Sequence, residues 1–398
     1  MDNQPCSPQK VTNRMQIPLD PLVVTRILAT LGAAIAALLG GLGAAIGIGT
    51  GGSAMIGTVA ERPETFSKAM ISVVLAEALG IYGLLASFMI VMRLDGIDNI
   101  AKGMTALSSG ICIGVAALAS GYSISKSGAA MCTAIARAPE TFSKALVSVV
   151  LAEALAIYGL LASFMIIMRI DAVTNISQAW MAVASALAIG AAAVAAGISI
   201  AKVGASLART VAEAPATFSK GLVPVVLAEA LAIYGLLVSF MIVMRIESTT
   251  LMAEAVLALS AGLGIGVSAL GGGYGIAQAG DVLCRSLRQA PETFSKSLVA
   301  VVLAEALSIY GLLAAFMLVM RIAPTVADVG AFTGLSAAIT VGFGGLFAGL
   351  AIGISGKAMV GALTEKPAIF SKAMVPVVLA EALAIYCLLV GFMLVMRI

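Results

Sequence analysis

The 398-residue chain contains no histidine. That removes the commonest metal ligand and every imidazole proton relay. Charge is scarce as well: 11% of residues are charged against 61% hydrophobic, with a mean hydropathy of +1.10. Soluble domains carry about 25% charged residues, so this composition describes an integral membrane protein. The net charge of +3 gives no reason to invoke nucleic acid. No phosphate-binding loop of the Gly-xxxx-Gly-Lys-Ser/Thr type occurs, so any energy source lies in a partner or an ion gradient. Cys6, Cys112, Cys132, Cys284 and Cys387 lack paired metal-type spacing, and the four in apolar segments read as small hydrophobic residues. Neither a metal nor a cofactor is expected. Residues 1–19 are polar, hold three prolines and lack a signal-peptide pattern, which reads as a disordered lead. The first apolar helix would then serve as its own insertion signal.

What is present is a repeat. The stretch Val74-Leu-Ala-Glu77-Ala-Leu-Gly-Ile-Tyr82-Gly puts a carboxylate in the middle of an apolar helix, and it recurs five times at a constant spacing of 76 residues. Glu77, Glu153, Glu229, Glu305 and Glu381 are each followed five residues later by a tyrosine: Tyr82, Tyr158, Tyr234, Tyr310 and Tyr386. An ionised carboxylate at a bilayer centre costs at least about 3 kcal/mol, so intramembrane acids usually mark ion pathways.

Each unit reads as two membrane-spanning helices joined by a short polar loop. The units fall near 20–95, 96–171, 172–247, 248–323 and 324–398, giving an all-α membrane protein of ten helices in five tandem hairpins. The second helix of the first unit, Ala69 to Met92, would span about 36 Å at 1.5 Å per residue. The first helices are longer and carry small-residue ladders, such as Gly43, Gly47 and Gly51, that let backbones approach closely in a membrane. Small residues segregated to alternate helices imply two layers, with the glycine-rich helices crowded inside. A ring has that requirement, because its inner circumference is the shorter.

The loops repeat too: Arg62-Pro-Glu-Thr-Phe-Ser-Lys68, Ala138-Pro-Glu-Thr-Phe-Ser-Lys144, and their kin ending at Lys220, Lys296 and Lys372. Proline stops the first helix, and the following Thr or Ser is expected to cap the second. These loops hold eleven Lys and Arg, against five (Arg93, Lys102, Arg169, Arg245, Arg321) on the other side. The positive-inside rule therefore places the proline loops in the cytoplasm and both termini on the opposite side.

To carry an ion past lipid, a glutamate must be neutral there, either protonated or bound to a cation. A tyrosine five residues on lies about 140° around the helix from its own glutamate. It is better placed to hydrogen-bond a carboxyl on the adjacent hairpin, although an interfacial or core aromatic is the competing reading.

Leu75-Ala-Glu77-Ala-Leu-Gly-Ile-Tyr82-Gly-Leu-Leu resembles the ion-binding helix of the proteolipid rotor protein (the c or K subunit) of V/A-type ATPases. Gly121-Tyr-Ser-Ile-Ser-Lys126-Ser-Gly128 is similar to the glycine-rich helix of vacuolar-type proteolipids, and Arg137-Ala-Pro-Glu140 to their cytoplasmic loop. The resemblance covers about residues 22–398. It implies a homo-oligomeric ring in membrane lipid that turns against a stator subunit supplying an arginine, with central-stalk subunits docking at the cytoplasmic loops. The chain itself would be a non-catalytic, ion-translocating subunit. Relatives commonly keep one carboxylate per two hairpins; here all five hairpins keep theirs, which favours a synthase able to run both ways.

Sodium needs several oxygen ligands, and sodium-binding relatives typically place Thr-Gln directly after the glutamate. Here those positions are Ala78-Leu79, Ala154-Leu155, Ala230-Leu231, Ala306-Leu307 and Ala382-Leu383, which favours a proton over Na⁺. Gln278 is the one in-helix amide that argues otherwise. Lys126 and Lys202 are expected on another face of the inner helix, because a direct Lys–Glu pair would hold the carboxylate ionised. Pro224 and Pro376, five residues before their glutamates, would each free a backbone carbonyl near the site, or simply mark a tolerated kink. A stand-alone cation channel or transporter is disfavoured because such proteins usually show inverted, non-equivalent repeats. A purely structural scaffold would leave five buried acids without use.

Overall fold

The structure is a computed structural model that describes residues 20–398, so the expectations for the polar lead and Cys6 lie outside the described residues. Among those residues the chain is wholly helical. The helices are α1 (Pro21–Glu61), α2 (Phe66–Val91), α3 (Ile100–Arg137), α4 (Phe142–Arg169), α5 (Ile176–Glu213), α6 (Phe218–Val243), α7 (Met252–Ser286), α8 (Phe294–Met320), α9 (Asp328–Glu365), α10 (Phe370–Ala373) and α11 (Val375–Val395). They supply ten spans long and apolar enough to cross a membrane, the tenth being α10 and α11 together.

Local chemistry sets the ends. Asp20 accepts from the Leu22 N–H, and Asn99 accepts from the Lys102 N–H at 3.0 Å. Asn175 and Gln178 form a reciprocal capping box at the start of α5. Arg62, Ala138, Ala214 and Lys366 leave the helical region because each precedes a proline, whose ring disfavours helical backbone in the residue before it.

The expected Ser/Thr caps of the even-numbered helices are not there. A 3₁₀ turn (Pro63–Thr65 in the first unit) runs straight into the helix and already occupies its first N–H groups. The threonine hydroxyl points backward instead. Thr65 donates to the Arg62 carbonyl at 2.7 Å, and Thr141, Thr217 and Thr293 repeat that bond to residues 138, 214 and 290.

The hairpins stand side by side in chain order and form two layers. In the inner layer α1, α3, α5, α7 and α9 meet backbone to backbone. A Cβ added at Gly110 would overlap the Gly32 carbonyl, and one at Gly349 the Gly271 carbonyl. In the outer layer α2, α4, α6, α8 and α11 touch through longer side chains, so the row curves with the glycine helices on the concave side. Its ends are open: the apolar windows of α3, α5 and α7 are 72% buried, those of α1 and α2 only 28% and that of the last span 22%. Arg93 pairs with Asp171 and Arg169 with Glu247 at the connections between hairpins.

Candidate functional site

The five glutamates lie on the outer-layer helices. Because tyrosine leaves its helix about 140° away from the glutamate five residues earlier, its hydroxyl reaches the next hairpin. Tyr82 Oη donates to Glu153 Oε1 at 2.8 Å, Tyr158 to Glu229 at 2.6 Å, Tyr310 to Glu381 at 2.8 Å, and Tyr234 donates to Glu305. No tyrosine bonds the glutamate of its own helix. The end members differ: Glu77 is exposed and receives no tyrosine, and Tyr386 is 63% exposed with no glutamate to meet. Of the five, Glu305 is the most enclosed at 8% exposure, while Glu153, Glu229 and Glu381 are half-buried.

The inner layer holds these carboxylates at a fixed height. Ser120 Oγ donates to the Ala152 carbonyl at 2.7 Å, one residue before Glu153, and Ser268 Oγ donates to the Leu307 carbonyl at 2.5 Å, two residues after Glu305. Each buried hydroxyl that ties two helices together contributes about 1 kcal/mol. Such an arrangement can take up and release one small cation per hairpin. The carboxyl carries the charge, the phenol orients one oxygen, and Ala154 and Leu155 or their equivalents supply no further side-chain oxygen.

Lys126 and Lys202 contact none of the five glutamates. Lys126 Nζ lies 5.9 Å from the centre of the Tyr122 ring on the concave face. Lys202 Nζ donates to Gln278 Oε1 at 2.7 Å and stands 3.9 Å from Asp281. The almost buried Asp281 carboxylate also accepts from Ser206 Oγ at 2.5 Å and from Arg285 at 2.7 Å. Sequence reasoning singled out Gln278 and Lys202 but passed over Asp281. The i, i+4 spacing of Asp281 and Arg285 was the available signal.

The prolines act farther away than their positions imply. Proline deprives the carbonyl four residues earlier of its partner, so Pro224 frees that of Lys220 and Pro376 that of Lys372. Nine residues separate each of those carbonyls from its glutamate, about 13 Å along the axis. α6 runs on through Pro224, whereas the break between α10 and α11 falls two residues before Pro376. Neither carbonyl can complete a cation shell at the carboxylate.

At the proline loops each lysine grips the following hairpin. Lys68 donates to the Pro139 carbonyl at 3.2 Å, and Lys144, Lys220 and Lys296 donate likewise to residues 215, 291 and 367. Lys68 and Lys220 also lie 5.9 Å over the rings of Phe142 and Phe294. Four of the loop phenylalanines are half-buried at these junctions; Phe66, with no hairpin before it, is 48% exposed.

The family model for the C subunit of ATP synthase matches five times, at residues 31–90, 107–166, 183–242, 259–318 and 335–394. The A-type ATP synthase subunit K of Methanocaldococcus jannaschii is 34% identical over 229 residues, 58% of this chain and 100% of that protein. The 16 kDa proteolipid (the c subunit) of the human V-type proton ATPase is 35% identical over 127 residues, 32% of this chain and 82% of that one. The V-type sodium ATPase subunit K of Enterococcus hirae is 30% identical over 143 residues, 36% of this chain and 92% of that one.

Proposed function

Because this chain belongs to the family of the ATP synthase C subunit, we propose that it is the membrane rotor subunit of a V/A-type rotary ATPase or ATP synthase, with one proton on each of Glu77, Glu153, Glu229, Glu305 and Glu381. It is an integral multi-pass membrane protein. The observation that carries the reading is the tyrosine bridge repeated from hairpin to hairpin, one donor to one carboxyl. A proton needs the carboxyl and one or two hydrogen-bond partners; sodium needs several oxygens. Relatives named for each ion occur, so family membership leaves the choice to the site.

Each hairpin, taken as the units 20–95, 96–171, 172–247, 248–323 and 324–398, is then one step of rotation. The carboxyl crosses lipid protonated, since burial disfavours the charged form. It gives up its proton beside a stator arginine, whose positive charge stabilises the carboxylate. Copies of the chain close a ring, and central-stalk subunits dock at the proline loops on the cytoplasmic side. With a carboxylate in every hairpin, many ions move per turn. Each then supplies less of the work per ATP, as synthesis requires.

Carbodiimide, which attacks protonated buried carboxyls, tests this. It should label the five glutamates and stop ATP-coupled transport, and labelling should fall as pH rises. Millimolar sodium at fixed pH should protect little. Strong protection by sodium would replace the proton by Na⁺ as cargo, and absence of labelling at all five would overturn the ion-carrying role.

A further inference from the structure

Glu153, Glu229 and Glu305 each stand between two hairpins of the same chain, so their surroundings compare directly. Tyr82, Tyr158 and Tyr234 serve them alike. Their enclosure differs: Glu305 is buried at 8% exposure, whereas the other two are half-buried. The difference coincides with two positions on the inner helices. One period apart, Ser120, Ala196 and Gly272 hold the first position, and Ser123, Ser199 and Gly275 the second. The fourth hairpin is the one in which both are glycine; the first has Ala44 and Gly47, the fifth Ala348 and Ala351.

α8 uses the room that these glycines leave. A Cβ on Gly275 would lie 2.6 Å from Ala304 Cβ, and one on Gly272 would lie 2.8 Å from the Ala304 carbonyl oxygen. Real Cβ atoms essentially never come within 3.0 Å of another heavy atom. At Ala304, α8 therefore stands nearer α7 than a side chain at either position would permit. Both contacts fall on the residue directly before Glu305 and draw that turn toward the inner layer. Ser308, where α4 and α6 have Ala156 and Ala232, fills the remaining space; its hydroxyl would overlap a Cβ on Gly272. In the second hairpin the place of Gly275 is held by Ser123. It is fully buried, and its hydroxyl has no hydrogen-bond partner among the described residues. A buried hydroxyl without a partner is costly, so what Ser123 contributes is bulk between α3 and α4.

Resting on the rotor reading above, we infer that the ion sites of this chain are unequal: Gly272 and Gly275 recess Glu305, making it harder to reach from the outer face than Glu153 or Glu229. The carboxylates lie on the outer layer, so a stator meets them from that face. Glu305 is then the slow exchanger of the three, and the rotor meets one slow site at each passage of the fourth hairpin. The two glycines are positioning residues: they touch neither the carboxyl nor its cargo and act through the spacing of α7 and α8.

A lipid-soluble carbodiimide approaches from the same outer face and serves as the probe. The assembled protein in its membrane is labelled at a pH low enough that the carboxyls are all protonated, so the rate reads access rather than ionisation. Glu305 should be modified severalfold more slowly than Glu153 and Glu229, followed peptide by peptide by mass spectrometry. Gly275→Ser, which gives the fourth hairpin the residue of the second and third, should bring Glu305 up to their rate. Ser123→Gly should slow Glu153 alone. It adds no atoms, so it decides the matter if Gly275→Ser does not assemble; Ser199, which bonds the Gly273 carbonyl at 2.6 Å, stays intact. A general loosening of the structure would move all three rates together, and that result, or no change at Glu153, overturns the positioning role. Labelling of the three at one common rate in the unaltered protein defeats this inference and leaves the rotor reading standing. No labelling at any of them defeats the rotor reading, and this inference with it.

Discussion

Removing one phenol should be felt on the neighbouring hairpin and not on its own. Tyr158→Phe keeps the ring and its packing but deletes the hydroxyl that donates to Glu229 at 2.6 Å. A hydrogen bond to a charged group contributes about 1.5–3 kcal/mol when well buried. Glu229 is half-buried, so about 1 kcal/mol is the fitting estimate, or roughly fivefold in the equilibrium between charged and neutral carboxyl. The bond favours the ionised form, so its loss enlarges the protonated fraction. At a pH where Glu229 is almost wholly ionised, carbodiimide should modify it up to about fivefold faster, read peptide by peptide by mass spectrometry. Glu153, on the same helix as Tyr158, serves as the internal control and should be unchanged, since its donor is Tyr82. A response at Glu153, or none at Glu229, would refute the cross-hairpin bridge as an energetic element of the site.

Gly121→Ala should destabilise the hairpin row by about 1–3 kcal/mol through overpacking against the Gly43 backbone, lowering the thermal transition. Gly57→Ala, where nothing lies within 4 Å, should be neutral or stabilise by up to about 1 kcal/mol from helix propensity. Lys202→Met should leave labelling of all five glutamates within about twofold, because its ammonium bonds Gln278 and faces Asp281 rather than a glutamate. A large change at Glu229 would mean that the lysine acts on the carboxylate through the helix.

Five hairpins, two layers and tyrosines that look outward from their own helices are all legible in the amino-acid order. They follow from quantities fixed along the chain: apolar length against bilayer thickness, the constant 76-residue spacing, and five residues at 100° each. Which partner Tyr82 meets is a distance between helices, and only the packed structure supplies it as a bond to Glu153. The same holds for Asp281, whose near-burial depends on Ser206 and Lys202 arriving from the adjacent inner helix. The threonine caps were misread because a 3₁₀ turn and a helix start share the same Pro-x-Thr signature, and only the backbone path distinguishes them. Helices apolar on every face carry no periodicity that names a buried side. Which side of each outer helix packs against its neighbours was decided by packing alone.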